Sequence, residues 1–323
     1  MINHKIKPMT ESGLLAAITV VMALMAVYLP VLGMIAALLW PLPITVLVVR
    51  HGVRWGVMAA VVATVIMAVL IEPLLAARMF VAFAPAGLVL GLGYRRRWSA
   101  VRVFTTALLT SIAAKVAALL IVFAVTNINP LAMQMDMLQE SFATSSDIYK
   151  SLNMSDAQLA DVQQEFQQSM KLVSLLMPLV VIMMGFLDTF VNFLVANRVL
   201  RRLGSETVQL KAFTEWRLPQ GFLYLFGFAM VGMYWGGTRE IGLLYQISLN
   251  ANMLASFVGI IQGVSLLWYA ADRYHLSKPI RFFILAFIFL NGILAQILAF
   301  TGLFDMVFDY RRRFSRRNDD SLK

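Results

Sequence analysis

Long apolar runs separated by short basic bursts dominate the chain: Leu14–Val49, Val53–Ile71, Val101–Val125, Leu172–Val195, Leu218–Met233, Ile247–Ala271 and Phe282–Thr301. A helix rises about 1.5 Å per residue, so about 20 apolar residues cross about 30 Å of hydrocarbon. Lipid offers no water to satisfy a bare backbone, so runs of this kind predict helices. The pattern therefore predicts an all-α fold: a polytopic integral membrane helical bundle of about eight to nine spans.

Leu14–Val49 is long enough for two helices and divides at Pro30 and Gly33, because proline removes a backbone donor and glycine permits a turn. Leu74–Leu92 supplies a return span despite Arg78 and Pro85. Basic residues cluster at Lys5–Lys7, Arg50–Arg54, Arg95–Arg102, Arg198–Arg217 and Arg273–Arg281. The positive-inside tendency places all five clusters on the cytoplasmic side, so an even number of spans lies between neighbours. This yields a six-helix membrane core over residues 1–202, a cytoplasmic linker over 203–217, C-terminal membrane helices over 218–310, and a basic, polar tail over 311–323.

The C-terminal region is read from three runs, Leu218–Trp235, Ile247–Ala271 and Phe282–Thr301. Three spans make nine in all and send Arg311–Arg317 outside, against the charge bias. A re-entrant late run makes eight and keeps the tail inside, where its bases would attract anionic lipid.

Within the core, the external segment 127–170 carries Asp136, Glu140, Asp147, Asp156, Asp161 and Glu165 against the single base Lys150. Ser155 and Gln158 resemble a capping box, after which Leu159, Val162, Phe166 and Met170 recur at helical spacing. The segment is read as an amphipathic helix running into the sixth span, either as a lid over a cavity or as a solvated connector.

Composition agrees with a membrane protein: 60% of residues are hydrophobic and 14% charged, with mean hydropathy +0.77. The net charge of +10 sits in the flanking bursts, which marks topology rather than nucleic-acid binding. With no cysteine, there is no disulfide, thiolate metal site or cysteine nucleophile to consider. The chain shows no Gly-x-Ser-x-Gly, His-Glu-x-x-His or phosphate-loop motif, and His4, His51 and His275 are scattered. We therefore expect no enzyme, no catalytic residue, no metal and no cofactor.

Polar residues inside the spans carry the sharper signal, since an ion at mid-bilayer costs about 2.5–3.5 kcal/mol even on the lenient insertion scale. Lys115 lies midway between Arg102 and Asn127, and Asp188 lies well inside the sixth span. The two can pair, with Ser111 one turn before Lys115 and Asn192 one turn after Asp188 extending a polar strip. Lys115, Asp188, Asn192 and Ser111 are the candidate ligand-binding residues; the alternative is a neutral pair that sets helix register. Asn252, Gln262, Asn291 and Gln296 are read as interhelical hydrogen-bonding groups, and the tryptophans, Trp40 among them, as an interfacial belt.

Small residues recur every fourth position at Gly52, Gly56 and Ala60, and again at Gly259 and Gly263. Such ridges let helix backbones approach closely. They are read as helix-packing seams, within the chain or with a membrane protein partner or second copy.

The six-helix first part, the stretch Phe213-Thr-Glu-Trp-Arg-Leu-Pro219 and the ending Gly302-Leu-Phe-Asp-Met-Val-Phe-Asp-Tyr-Arg-Arg312 resemble the YybS-like membrane proteins, a domain of unknown function. The resemblance runs from about residue 10 to residue 312. That family is grouped with the S components of energy-coupling-factor transporters, which implies a six-helix fold with a ligand cavity and a bacterial inner-membrane location. In S components an Ala-x-x-x-Ala seam on the first helix docks the coupling subunit. Here Ser12 with Ala16, Gly13 with Ala17, and Thr19 with Ala23 keep only the small-residue spacing. The extra C-terminal spans are a second departure, and imply a protein that acts without that partner. Asp305 and Asp309, one turn apart in the ending, are read as either a solvated helix end or a partner patch.

The function expected is small-solute binding or transport through a cavity in the first six helices, within a lipid bilayer. The alternative is a non-catalytic membrane scaffold or assembly factor.

Overall fold

The computed structural model describes residues 6–151, 156–208 and 210–312. Ser155 of the expected capping box, Lys5, His4 and the tail from Arg313 onward lie outside the described residues. Twelve α-helices and a 3-10 turn make up the described chain, and no strand occurs among its residues. Contacts divide it into two compact units, one of 1–170 with 180–209 and one of 171–179 with 210–323.

In the first unit, α1 (Ile6–Tyr28) ends at Leu29, and Pro30 opens α2 (Pro30–Leu39). The expected division of the first run therefore falls at Pro30. Gly33 lies inside α2, where its missing Cβ lets the Met25 carbonyl of α1 approach. A bend at Trp40 joins α2 to α3 (Pro41–His51), and the two make up one span. Then come α4 (Val53–Leu70), α5 (Pro73–Arg95), α6 (Ala100–Thr126), α7 (Pro130–Ser151) and α8 (Asp156–Arg202). Pro85 sits within an unbroken α5. Glu11 at the start of α1 pairs with Arg50 at 2.9 Å and His51 at 2.6 Å, tying α1 to the basic end of α3.

The expected seam at Gly52, Gly56 and Ala60 needs one correction. Gly52 is not on the helix but joins α3 to α4 with φ +101°, a conformation that favours glycine over any L side chain. Gly56 and Ala60 do pack inward, Gly56 against Val48 and Ala60 fully buried. On α1, Ser12, Ala16, Thr19 and Ala23 are buried inside this unit. Two of the three spacings that the S-component resemblance brings into play are thus used internally, and only Gly13 and Ala17 are exposed.

At 47 residues, α8 is about 70 Å long, far more than a bilayer requires. Its first turns pack beside α7, where Phe142 and Phe166 stack at 3.8 Å. Leu159, Val162 and Phe166 are half-buried there and Met170 is buried, as their helical spacing predicts. The acids Asp136, Glu140, Asp161 and Glu165 are exposed.

The second unit contains α9 (Gly221–Thr238), α10 (Gly242–Arg273), α11 (Lys278–Leu290) and α12 (Gly292–Phe308), with the stretch Lys171–Leu179 of α8. Pro178 cannot donate a backbone hydrogen bond, and Asn250 of α10 spans the gap beside it. Its Oδ1 accepts from Leu179 N at 2.9 Å and its Nδ2 donates to Leu175 O at 2.7 Å. Those are the two groups that an i to i−4 helical bond would otherwise join.

The last run differs from the straight span that its composition predicts. It bends by 110° between α11 and α12, because Asn291 ends one helix and caps the next, its Oδ1 accepting from Ile293 N and Leu294 N. Asn291 is thus a cap rather than an interhelical contact. Seven helices among the described residues are long and apolar enough to cross a membrane, and the bent pair brings the total to at most eight. Rich in glycine, α9 is outside those seven, yet it packs along α10. Gly236 and Gly259 serve close approach, since a Cβ on Gly259 would stand 2.6 Å from Ala299 O of α12.

Candidate functional site

In the first unit, α6 and α8 are locked by aromatic rings: Phe104 meets Phe186 and Phe193 edge-on, at 6.0 and 5.9 Å. That packing brings the two polar strips together. Lys115 Nζ donates to Asp188 Oδ2 at 2.8 Å and to Ser111 Oγ at 3.0 Å, and Ser111 Oγ donates to the same carboxylate oxygen at 3.2 Å. Asn192 Nδ2 donates to Leu38 O at 2.7 Å and to Asp188 O at 2.8 Å, which ties α8 to α2. Ser111, Asp188 and Asn192 are buried, and the Lys115 side chain is 13% exposed. The four residues expected to share a polar strip therefore do so.

Two aromatic neighbours were not legible as such. Lys115 Nζ lies 4.9 Å from the Phe83 ring centre, a distance at which a cation is attracted to the ring face. Phe83 in turn meets Trp40 at 6.1 Å. Trp40, expected at an interface, is fully buried, because the bend before Pro41 turns it inward. Its position at a helix break beside prolines was the available signal.

Four buried polar atoms on these same elements have no hydrogen-bond partner: Trp40 Nε1, Thr189 Oγ1, Asn192 Oδ1 and Asn197 Oδ1. A buried polar atom left unpaired costs about 1–3 kcal/mol. The elements that carry the buried ion pair thus hold an indole donor, a hydroxyl that can donate or accept, and two amide acceptors without partners. Among the described residues, no group of His, Asp or Glu could hold a metal ion.

A second buried pair lies in the other unit. Arg311 Nε is 3.7 Å from Asp305 Oδ2, and the guanidinium donates to Thr214 O and to Ser265 Oγ. Burial pulls the Arg311 pKa below its ordinary value, while Asp305 pulls it back up. Gln262 Nε2 donates to Asp305 Oδ2 at 2.7 Å and its Oε1 accepts from Leu218 N at 3.1 Å. Asp305 Oδ1 accepts from Tyr310 N at 3.0 Å. At the surface Arg217 pairs with Asp309 at 2.9 Å. Asp305 is therefore no part of a solvated helix end; it is buried because α12 packs its face against α10. The stretches 213–219 and 302–312, distant in sequence, meet in this one network.

A family model described as "Predicted membrane protein (DUF2232)" matches residues 17–306. The chain belongs to this family. As a DUF2232 member it is a multi-pass membrane protein, in keeping with its apolar helices. It is 22% identical over 313 residues to "Uncharacterized protein YybS" of Bacillus subtilis (strain 168), a match covering 95% of this chain and 98% of that protein. No solved structure matches. The DUF2232 match takes in Lys115, Asp188, Gln262 and Asp305, and so reaches into both networks.

Proposed function

We propose that this protein binds, and by extension transports, a small solute in the first unit, with Lys115, Asp188, Ser111 and Asn192 as its polar lining. The reading is non-enzymatic and places the protein in a bacterial inner membrane. The observation that carries it is the buried Lys115–Asp188 pair on elements that also carry the unpartnered polar atoms of Trp40, Thr189 and Asn192. A pair kept only for helix register would gain nothing from unsatisfied neighbours, because each costs stability without return. The resemblance to S components points to the same region.

The test is native mass spectrometry of protein gently extracted from its own membrane, compared with Asp188→Asn. Asparagine preserves shape and hydrogen bonding while removing the charge. A stoichiometric small-molecule adduct, lost in the variant at wild-type folded yield, is the expected result. Absence of any adduct from well-folded wild-type protein would defeat the reading.

A scaffold role has its own observation, the exposed acids of α7 and the first turns of α8 beside exposed Met133 and Met137. Defined partner subunits in the same spectrum, with no small molecule, would favour it.

A further inference from the structure

The bent pair of α11 and α12 allows two topologies, a broken crossing or a re-entrant hairpin, and they put the C-terminal tail on opposite faces. We propose that the pair is re-entrant, entering and leaving the bilayer on the face of the 213–217 linker.

The argument follows the neighbours of each foot along α10. The pair begins at the end of α10, where Arg281 pairs with Asp272 and also donates to Leu276 O at 2.9 Å. One residue later Phe282 packs edge-on against Trp268 at 5.8 Å. From there α11 runs 13 residues, about 20 Å, which is too short to cross about 30 Å of hydrocarbon. It buries none of its residues, and Leu290 at its end is 87% exposed. In a membrane protein, such a surface is covered by lipid.

After the Asn291 cap, α12 packs across α10 at Gly259 and Gly263. There Gly302 lies so close to Gly259 and Gly263 that a Cβ would collide with their backbones. The chain then turns at Asp309, whose φ is +46°, and Arg311 reaches Ser265 and the ring of Tyr269, 5.8 Å away. Phe282 and Arg311, the two feet of the pair, thus stand on consecutive residues of α10, Trp268 and Tyr269.

The level of α10 to which they return is that of the linker. Ser265 donates to Phe213 O, Arg311 to Thr214 O, and Gln262 accepts from Leu218 N. The opposite end of α10 is occupied differently: Gly236 of α9 meets Tyr245 there, beside the turn at Arg239–Ile241. A crossing pair would deliver Arg311 to that end. With Arg273, Lys278 and Arg281 at the feet, the positive-inside tendency makes the linker face the cytoplasmic one. The re-entrant pair leaves α9 and α10 as an out-and-back hairpin, so Arg312 shares the face of the linker.

The chain has no cysteine, so single cysteines report without background. Ser277→Cys, Thr238→Cys, Leu290→Cys and Ser321→Cys, each exposed or in the tail, would be expressed in full-length protein. Each would be treated with a membrane-impermeant maleimide in right-side-out and inside-out vesicles, with detergent-opened samples giving total reactivity. Re-entry predicts that Ser321→Cys labels from the same side as Ser277→Cys and that Thr238→Cys labels from the other. Leu290→Cys is expected to be protected, or labelled only from the Ser277 side. Labelling of Ser321→Cys or Leu290→Cys from the Thr238 side would overturn the proposal and make the pair a crossing.

Discussion

Two buried ion pairs, one in each unit, use their surroundings in opposite ways. Around Asp305 and Arg311, the side chains bond to backbone at Thr214 O, Leu218 N and Tyr310 N and to one another through Gln262 and Ser265. Only Arg311 Nε lacks a hydrogen bond there, and it faces Asp305 at 3.7 Å. On the elements that hold Lys115 and Asp188, polar atoms of Trp40, Thr189, Asn192 and Asn197 are left over. A saturated network holds chain segments in place, whereas one with spare groups can admit a further molecule. Burial alone does not distinguish the two pairs, since both carboxylates are almost fully buried. The count of satisfied partners does.

Breaking the saturated network should cost most. Arg311→Leu leaves Asp305 buried without its counter-charge, a loss of about 3–5 kcal/mol, and most of the protein should elute as aggregate in fluorescence-detected size exclusion. Gln262→Leu strips Leu218 N and Asp305 of a partner, and should lower stability by about 1–3 kcal/mol, read as an earlier thermal unfolding transition in detergent. An unchanged midpoint for Gln262→Leu would erase the contrast between the two pairs.

The site with spare groups should respond the other way. Thr189→Val removes a hydroxyl that has no partner, so it should shift stability by no more than about 0.5 kcal/mol while reducing any bound adduct. A large stability loss there would mean the hydroxyl is bonded after all, and would bring this site closer to the saturated one. The smallest effect belongs to the exposed Arg217–Asp309 pair. Arg217→Ala should cost about 0.2–1 kcal/mol at low salt, a difference that should shrink in titrations run at high ionic strength.

Much of the architecture is legible in the sequence. Hydrophobic length predicts helices because a bilayer enforces one backbone solution, and the break at Pro30 and the unusual length of the helix entering the sixth span follow from proline chemistry and a continuous apolar stripe. The Lys115–Asp188 pairing was legible because two lone ions at one depth have few other partners. Trp40 and Phe83 were not, since an aromatic in a membrane helix reads equally as belt, core or site. Asn250 was missed for a related reason: its role exists only beside the backbone gap at Pro178. Gly52 read as part of a ridge because spacing carries no information about φ.

The sequence by itself determined the helical class, most of the spans and the charged ends, because desolvation acts on each segment independently and is written in composition. Tertiary structure decided which buried polar groups are satisfied, where the last run turns back, and how residues 213–219 meet 302–312. Those outcomes depend on atoms within about 3 Å of one another across helices, a geometry that no single segment encodes.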